Sequence, residues 1–65
     1  MSELDRLMAD AATAEEQGDY REAARLYTQL GKDIQARHGR FDPRALDAFE
    51  RVARVIRKGS ETDDK

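Results

Sequence analysis

Gly18-Asp19-Tyr20-Arg21-Glu22 is the segment that most restricts what this 65-residue chain can fold into. Gly18 can adopt the left-handed backbone that ends a helix and that residues with a Cβ resist. Asp19 can accept hydrogen bonds from the first free N–H groups of a following helix. Glu22, three residues on, has the spacing to reach back and close a capping box. The segment therefore predicts a helix that stops, a tight turn, and a second helix. Tyr20, Ala23 and Tyr27 then place a ring, a small side chain and a ring on one face, and Ala23 leaves room for a neighbouring backbone.

The apolar spacing on both sides agrees. Leu4, Leu7, Met8, Ala11 and Ala14 form one buried stripe of a helix from Glu3 to about Gln17. Ser2 is its expected N-cap, and Glu3 and Asp5 sit in the first turn, where the helix dipole favours acids. Tyr20, Ala23, Leu26, Tyr27, Leu30 and Ile34 form the stripe of a second helix, from Tyr20 to about Arg37. Arg37 and His38 suit its negative end, and Gly39 is the expected C-cap. Gly31 interrupts this helix at a cost of about 1 kcal/mol relative to alanine. Either the helix bends there or a neighbour packs against the glycine. Asp42-Pro43, an N-cap followed by proline at the first helical position, starts a third helix that runs to about Lys58. Its predicted stripe is Ala45, Leu46, Phe49, Val52, Ala53 and Ile56, with Phe41 folded onto Leu46 as a hydrophobic staple. Gly59 is expected to end it. Residues 60–65 are polar and without period, and read as a disordered tail. No segment alternates apolar and polar residues. The chain is therefore expected to be all-α, with one three-helix domain over residues 1–59.

Composition limits the chemistry. A chain this short buries only about 60% of its extended surface, so its stability margin is thin. It has no cysteine, which excludes disulfides and cysteine-ligated metals. His38 is the lone histidine, placed where a helix end favours positive charge rather than beside ligand partners. Asp63-Asp64 lacks calcium-loop spacing, the glycines are isolated, and no nucleophile has a nearby base. These observations point to no enzyme, no metal and no cofactor. No apolar run approaches membrane-spanning length, and the acidic start lacks the apolar core of a signal peptide, so a cytoplasmic location is expected. The net charge of −2 conceals a gradient: residues 1–19 carry Arg6 against six acids, whereas residues 40–58 carry six bases against three acids. An acidic first helix and a basic third helix can attract each other, within one chain or between two.

At its turn and small residues the chain resembles the tetratricopeptide repeat family, whose unit is a pair of antiparallel helices. Leu7 and Ala11 stand where the family has a bulky and a small residue on its first helix, usually tryptophan and glycine. Gly18-Asp19-Tyr20 matches the turn, Ala23 the small residue of the second helix, and Tyr27 its aromatic. Leu30 replaces a usual alanine and Gln35 a usual proline, which implies a second helix that runs on. Gly39, Pro43 and Leu46, with Val52-Ala53, resemble the segment that opens the next unit in longer repeats such as those of kinesin light chain and many bacterial members. The resemblance thus implies one repeat and a half, with the third helix opening a second unit.

It also implies a protein-interaction module that binds a protein or peptide in the groove lined by its first and third helices. The exposed candidates for that groove are Arg6, Asp10 and Thr13 on the first helix, and Asp47, Glu50, Arg51 and Arg54 on the third. A ligand of mixed charge with an apolar anchor would suit them. Two other readings remain. A chain with fewer than the usual three repeats can self-associate, here as a homodimer held by its first and third helices at micromolar concentrations. Arg44, Arg51, Arg54 and Lys58 share a face that could meet nucleic acid, although a pI of about 5.3 makes that unlike most nucleic-acid-binding domains.

The close helix crossing is testable. Ala11→Leu or Ala23→Leu should overpack it and cost about 1–3 kcal/mol, whereas Ala36→Leu, outside the stripe, should cost less than about 0.5 kcal/mol. Urea denaturation that finds all three equally tolerated would contradict the predicted pairing.

Overall fold

The computed structural model describes residues 2–63, and the side chains of residues 2–60. Three helices follow in order: α1, Glu3–Glu16; α2, Tyr20–His38; and α3, Pro43–Asp63. No strand occurs among the described residues. The fold is all-α, and no helix among these residues is long and apolar enough to cross a membrane.

The first turn forms as its residues require. Gly18 has φ +81°. Its N–H donates to the Glu15 carbonyl at 3.1 Å, and the Asp19 N–H donates to the Ala14 carbonyl at 2.9 Å. This pair of bonds is the Schellman arrangement, which satisfies the last carbonyls of α1. Asp19 Oδ1 then accepts from the Glu22 N–H at 3.3 Å. Only this half of the expected capping box forms. The Asp19 N–H is already engaged with Ala14, and the Glu22 carboxylate turns instead to Arg25, whose Nε donates to it at 3.0 Å. Ser2 caps α1 as expected, its hydroxyl accepting from the Asp5 N–H at 3.1 Å. Gly39, with φ +109°, ends α2, which runs on past Gln35 to His38. Asp42 starts α3 by accepting from the Arg44 N–H at 2.8 Å.

Helix α2 is central. It packs against α1 on one side and α3 on the other, while α1 and α3 make few backbone approaches to each other. The core consists of Ala11 and Ala14 from α1, Ala23, Tyr27, Leu30 and Ile34 from α2, and Ala45, Ala48 and Val55 from α3. The stripes expected for α1 and α2 are the ones that pack inward. The α3 stripe differs. Ala45, Phe49 and Val52 face the core as expected, but Ala48 and Val55 complete that face, while Leu46, Ala53 and Ile56 are exposed. At 100° per residue, the inward face is turned by about 60° from the expected one.

Two notches explain the rotation. The Phe49 ring lies directly on Gly31, and Tyr20 lies against Gly59. Each contact puts an aromatic ring of one helix where the other has no side chain. With Ala45 and Ala48 buried just before the first notch, the small face of α3 can lie close to α2, and the bulkier Leu46 and Ile56 turn outward. Gly59 therefore does not end α3, which continues to Asp63. Of the expected tail, residues 60–63 are helical and residues 64–65 lie outside the described residues. The expected staple is also absent: Phe41 is 90% exposed and Leu46 62% exposed.

Gly31 thus receives a neighbour, as one of the two expectations had it. A Cβ there would stand 2.5 Å from Phe49 Cε1. Gly31→Ala gains about 1 kcal/mol of helix propensity, yet the clash should dominate and leave a net loss of about 1–2 kcal/mol. Phe49→Leu placed in the Gly31→Ala background should recover part of that loss. Denaturant titration of the four proteins in the cycle checks the coupling, and simple additivity would contradict the notch.

Candidate functional site

Because α2 runs antiparallel to both neighbours, α1 and α3 run parallel across it, and a groove lies between them with α2 as its floor. One end of this groove is closed by side chains. Glu15, on the last turn of α1, accepts a hydrogen bond from the Tyr27 hydroxyl at 3.1 Å. The same carboxylate accepts from Arg54 at 3.0 Å and from Lys58 Nζ at 3.0 Å. The Glu15 side chain is only 13% exposed. Burial pushes its carboxyl up, but the hydrogen bonds from Lys58 and Tyr27 and the charges of Arg54 and Lys58 outweigh that and hold it below the usual value. Beside this cluster, the Arg51 guanidinium lies 5.8 Å from the centre of the Tyr27 ring and donates to Asp47 at 3.1 Å.

The other end of the groove is open. A cavity of about 420 Å³ lies there, with Leu4 and Met8 on the α1 wall, Leu30 and Ile34 on the floor, and Asp47 on the α3 wall. Ser2, Asp5, Arg37, His38 and Arg44 form its polar rim. Two rim cations are held in place: Arg37 pairs with Glu3 at 2.7 Å, and Arg44 grips Asp42 through two bonds of 2.9 and 3.0 Å. The side-chain bond from Arg44, with its backbone N–H, lowers the Asp42 carboxyl to about 2. The site therefore offers an apolar floor between walls of mixed charge. Among the described residues, no group of His, Cys, Asp and Glu could hold a metal ion.

The candidates read from the sequence are divided by this geometry. Asp47 lines the cavity. Arg51 and Arg54 sit along the groove but are engaged with Tyr27, Asp47 and Glu15. Glu50 is exposed on another side of α3. Arg6, Asp10 and Thr13 are exposed, and none of them lines the cavity. At 100° per residue, Arg6 and Asp10 each stand about 160° around α1 from Met8. From this side the cavity is lined by Leu4, Asp5 and Met8 of α1 and by its N-cap Ser2. Sequence reasoning also missed Glu15. The available signal was its position: an acid in the last turn of a helix opposes the dipole, so a nearby cation has to compensate.

A second cleft, of about 590 Å³, lies between the start of α2 and the end of α3, lined by Tyr20, Arg21, Ala24, Ile56 and Gly59 among others. No family model matches the chain, and no curated protein or solved structure proved similar to it.

Glu15 and Asp42 both titrate lower in the folded chain than in the unfolded one. Their stabilisation is complete above about pH 5 and is lost as acid protonates them, between about pH 4.5 and 2. Thermal stability should be flat from about pH 7 to 5 and then fall. Glu15→Gln should cost about 1–2 kcal/mol at neutral pH, and the gap to the parent should narrow at about pH 2–3. A gap that stays constant across the titration would show that the Glu15 charge contributes nothing.

Proposed function

We propose that the chain is a small tetratricopeptide-like interaction module that holds a protein or peptide segment in the α1–α3 groove. The observation that carries this reading is the open apolar floor of Leu30 and Ile34 beside Leu4 and Met8, with acids and bases on its rim. An apolar side chain of the ligand would enter between Met8 and Ile34. Asp5 and Asp47 would meet its cationic neighbours, and the exposed edges of Arg37 and Arg44 its acidic ones. The apolar anchor supplies most of the affinity, because rim charges contribute little when solvated. On this reading the binding set is Leu4, Asp5, Met8, Arg44 and Asp47, whereas Arg51 and Arg54 shape the groove from inside.

The nucleic-acid reading draws less support. Arg44, Arg51, Arg54 and Lys58 each have a carboxylate partner within the chain. That pairing weakens the positive field a phosphate backbone would need.

Photo-crosslinking in the native cell tests the groove. Benzoylphenylalanine in place of Asp5 or Asp47 should capture discrete proteins, and in place of Arg6 or Thr13 should not. Capture from Arg6 and Thr13 alone would move the site to the outer side of α1. Adducts that vanish on nuclease treatment would replace the protein ligand with nucleic acid.

A further inference from the structure

The turn between α2 and α3 carries an aromatic ring that its own chain does not bury. Phe41 is 90% exposed. It does not line the α1–α3 cavity, although His38 and Arg44, on either side of it in the chain, both do. The turn is braced all the same. The Asp42 N–H donates to the Gly39 carbonyl at 3.2 Å, which closes a β-turn with Arg40 and Phe41 at its centre. Gln35 Nε2 donates to the Arg40 carbonyl at 3.2 Å, and Arg44 grips the Asp42 carboxylate with two bonds. A ring fixed on a braced backbone loses little freedom when it docks.

The same end of the molecule holds a hole of matching chemistry. The open cavity, about 420 Å³, has room for a phenyl ring between Leu4 and Met8 on one wall and Leu30 and Ile34 on the floor. Most of the charges around it are already matched within the chain: Arg37 by Glu3, Arg44 by Asp42, and Asp47 by Arg51. Asp5 is the exception. It is exposed on the rim, and it makes no ion pair with another described residue. Arg40, next to Phe41, is likewise exposed and makes none. An unpaired base beside the ring thus answers an unpaired acid beside the hole. Under a twofold axis, the operation that seats one Phe41 in the other copy's cavity also seats the other Phe41 in the first. Because ring and hole stand at one end of the chain, the two contacts form one interface.

We infer that the α1–α3 groove binds a second copy of this chain, with Phe41 of each copy seated on Leu30 and Ile34 of the other and Arg40 of each set against Asp5 of the other. The inference rests on the groove reading above, because the ring fills the same cavity, and any other protein ligand has to displace it. The contact is small and the dimer correspondingly weak.

Sedimentation of the full chain at up to millimolar concentration tests this. The parent should dimerise. Phe41→Ala, at an exposed position, should keep its helical circular dichroism and sediment as a monomer. Asp5→Arg and Arg40→Asp each set like charges at both contacts, and each alone should weaken the dimer about tenfold. An equimolar mixture of the two should recover association as a heterodimer, because both contacts then join unlike charges. The Asp5→Arg/Arg40→Asp double variant should again form a homodimer. A parent that stays monomeric, a dimer unchanged by Phe41→Ala, or charge variants that fail to rescue each other overturn the proposal. The two readings fail separately: crosslinks from Asp47 to other proteins alone would keep the groove and overturn the second copy as its occupant, whereas crosslinks from Arg6 and Thr13 alone would end both.

Discussion

Tyr27 is the side chain on which the rest of the arrangement depends. Its ring is fully buried in the middle of α2. A phenol taken out of water needs a hydrogen-bond partner, or it costs several kcal/mol. Glu15 is that partner, and it belongs to α1. A carboxylate brought under cover in turn requires positive charge, which α3 supplies through Arg54 and Lys58. Arg51 covers the ring itself. A single buried hydroxyl thus recruits all three helices. It ties α1 to α3, whose backbones barely meet.

The shape follows from the same scarcity of core. The molecule is a thin slab, 41 × 23 × 12 Å, in which α2 alone has a neighbour on two sides. Close approach takes the place of bulk. Ala11, Ala14, Ala23, Ala45 and Ala48 are buried, and two glycines receive rings from the opposite helix. Small side chains bury little apolar area each, but they let backbones come together and keep packing dense. The large apolar residues that do not fit this close contact, Leu46 and Ile56, are left outside.

Helix α3 consequently meets α2 on one side and α1 on another. Its small face packs on α2, its cationic side holds α1 through Glu15, and its outer face leaves Leu46 and Ile56 exposed.

Much of this was legible from residue order. The turn at Gly18, the caps at Ser2, Asp19, Gly39 and Asp42, and the inward stripes of α1 and α2 are local properties. Each depends on neighbours within a turn or two of helix, where backbone sterics and hydrogen bonding act directly. The sequence also foretold that acids on the first helix and bases on the third could meet. Tertiary structure decided what periodicity leaves degenerate. Eight apolar residues of α3 span about half of the helix, so its pattern fits more than one buried face. The rotation was settled by Phe49 on Gly31 and Tyr20 on Gly59, contacts between residues far apart in the chain. The same contacts carried α3 through Gly59, where a glycine read alone suggests a stop. The packing of α1 on α2, with Glu15 tied to Tyr27, Arg54 and Lys58, decided which side of α1 faces the groove, leaving Arg6, Asp10 and Thr13 outside it and bringing Glu15, Met8 and Asp5 in. A glycine, a ring or a charge states what it permits, and only the partner across the interface determines which permission is used.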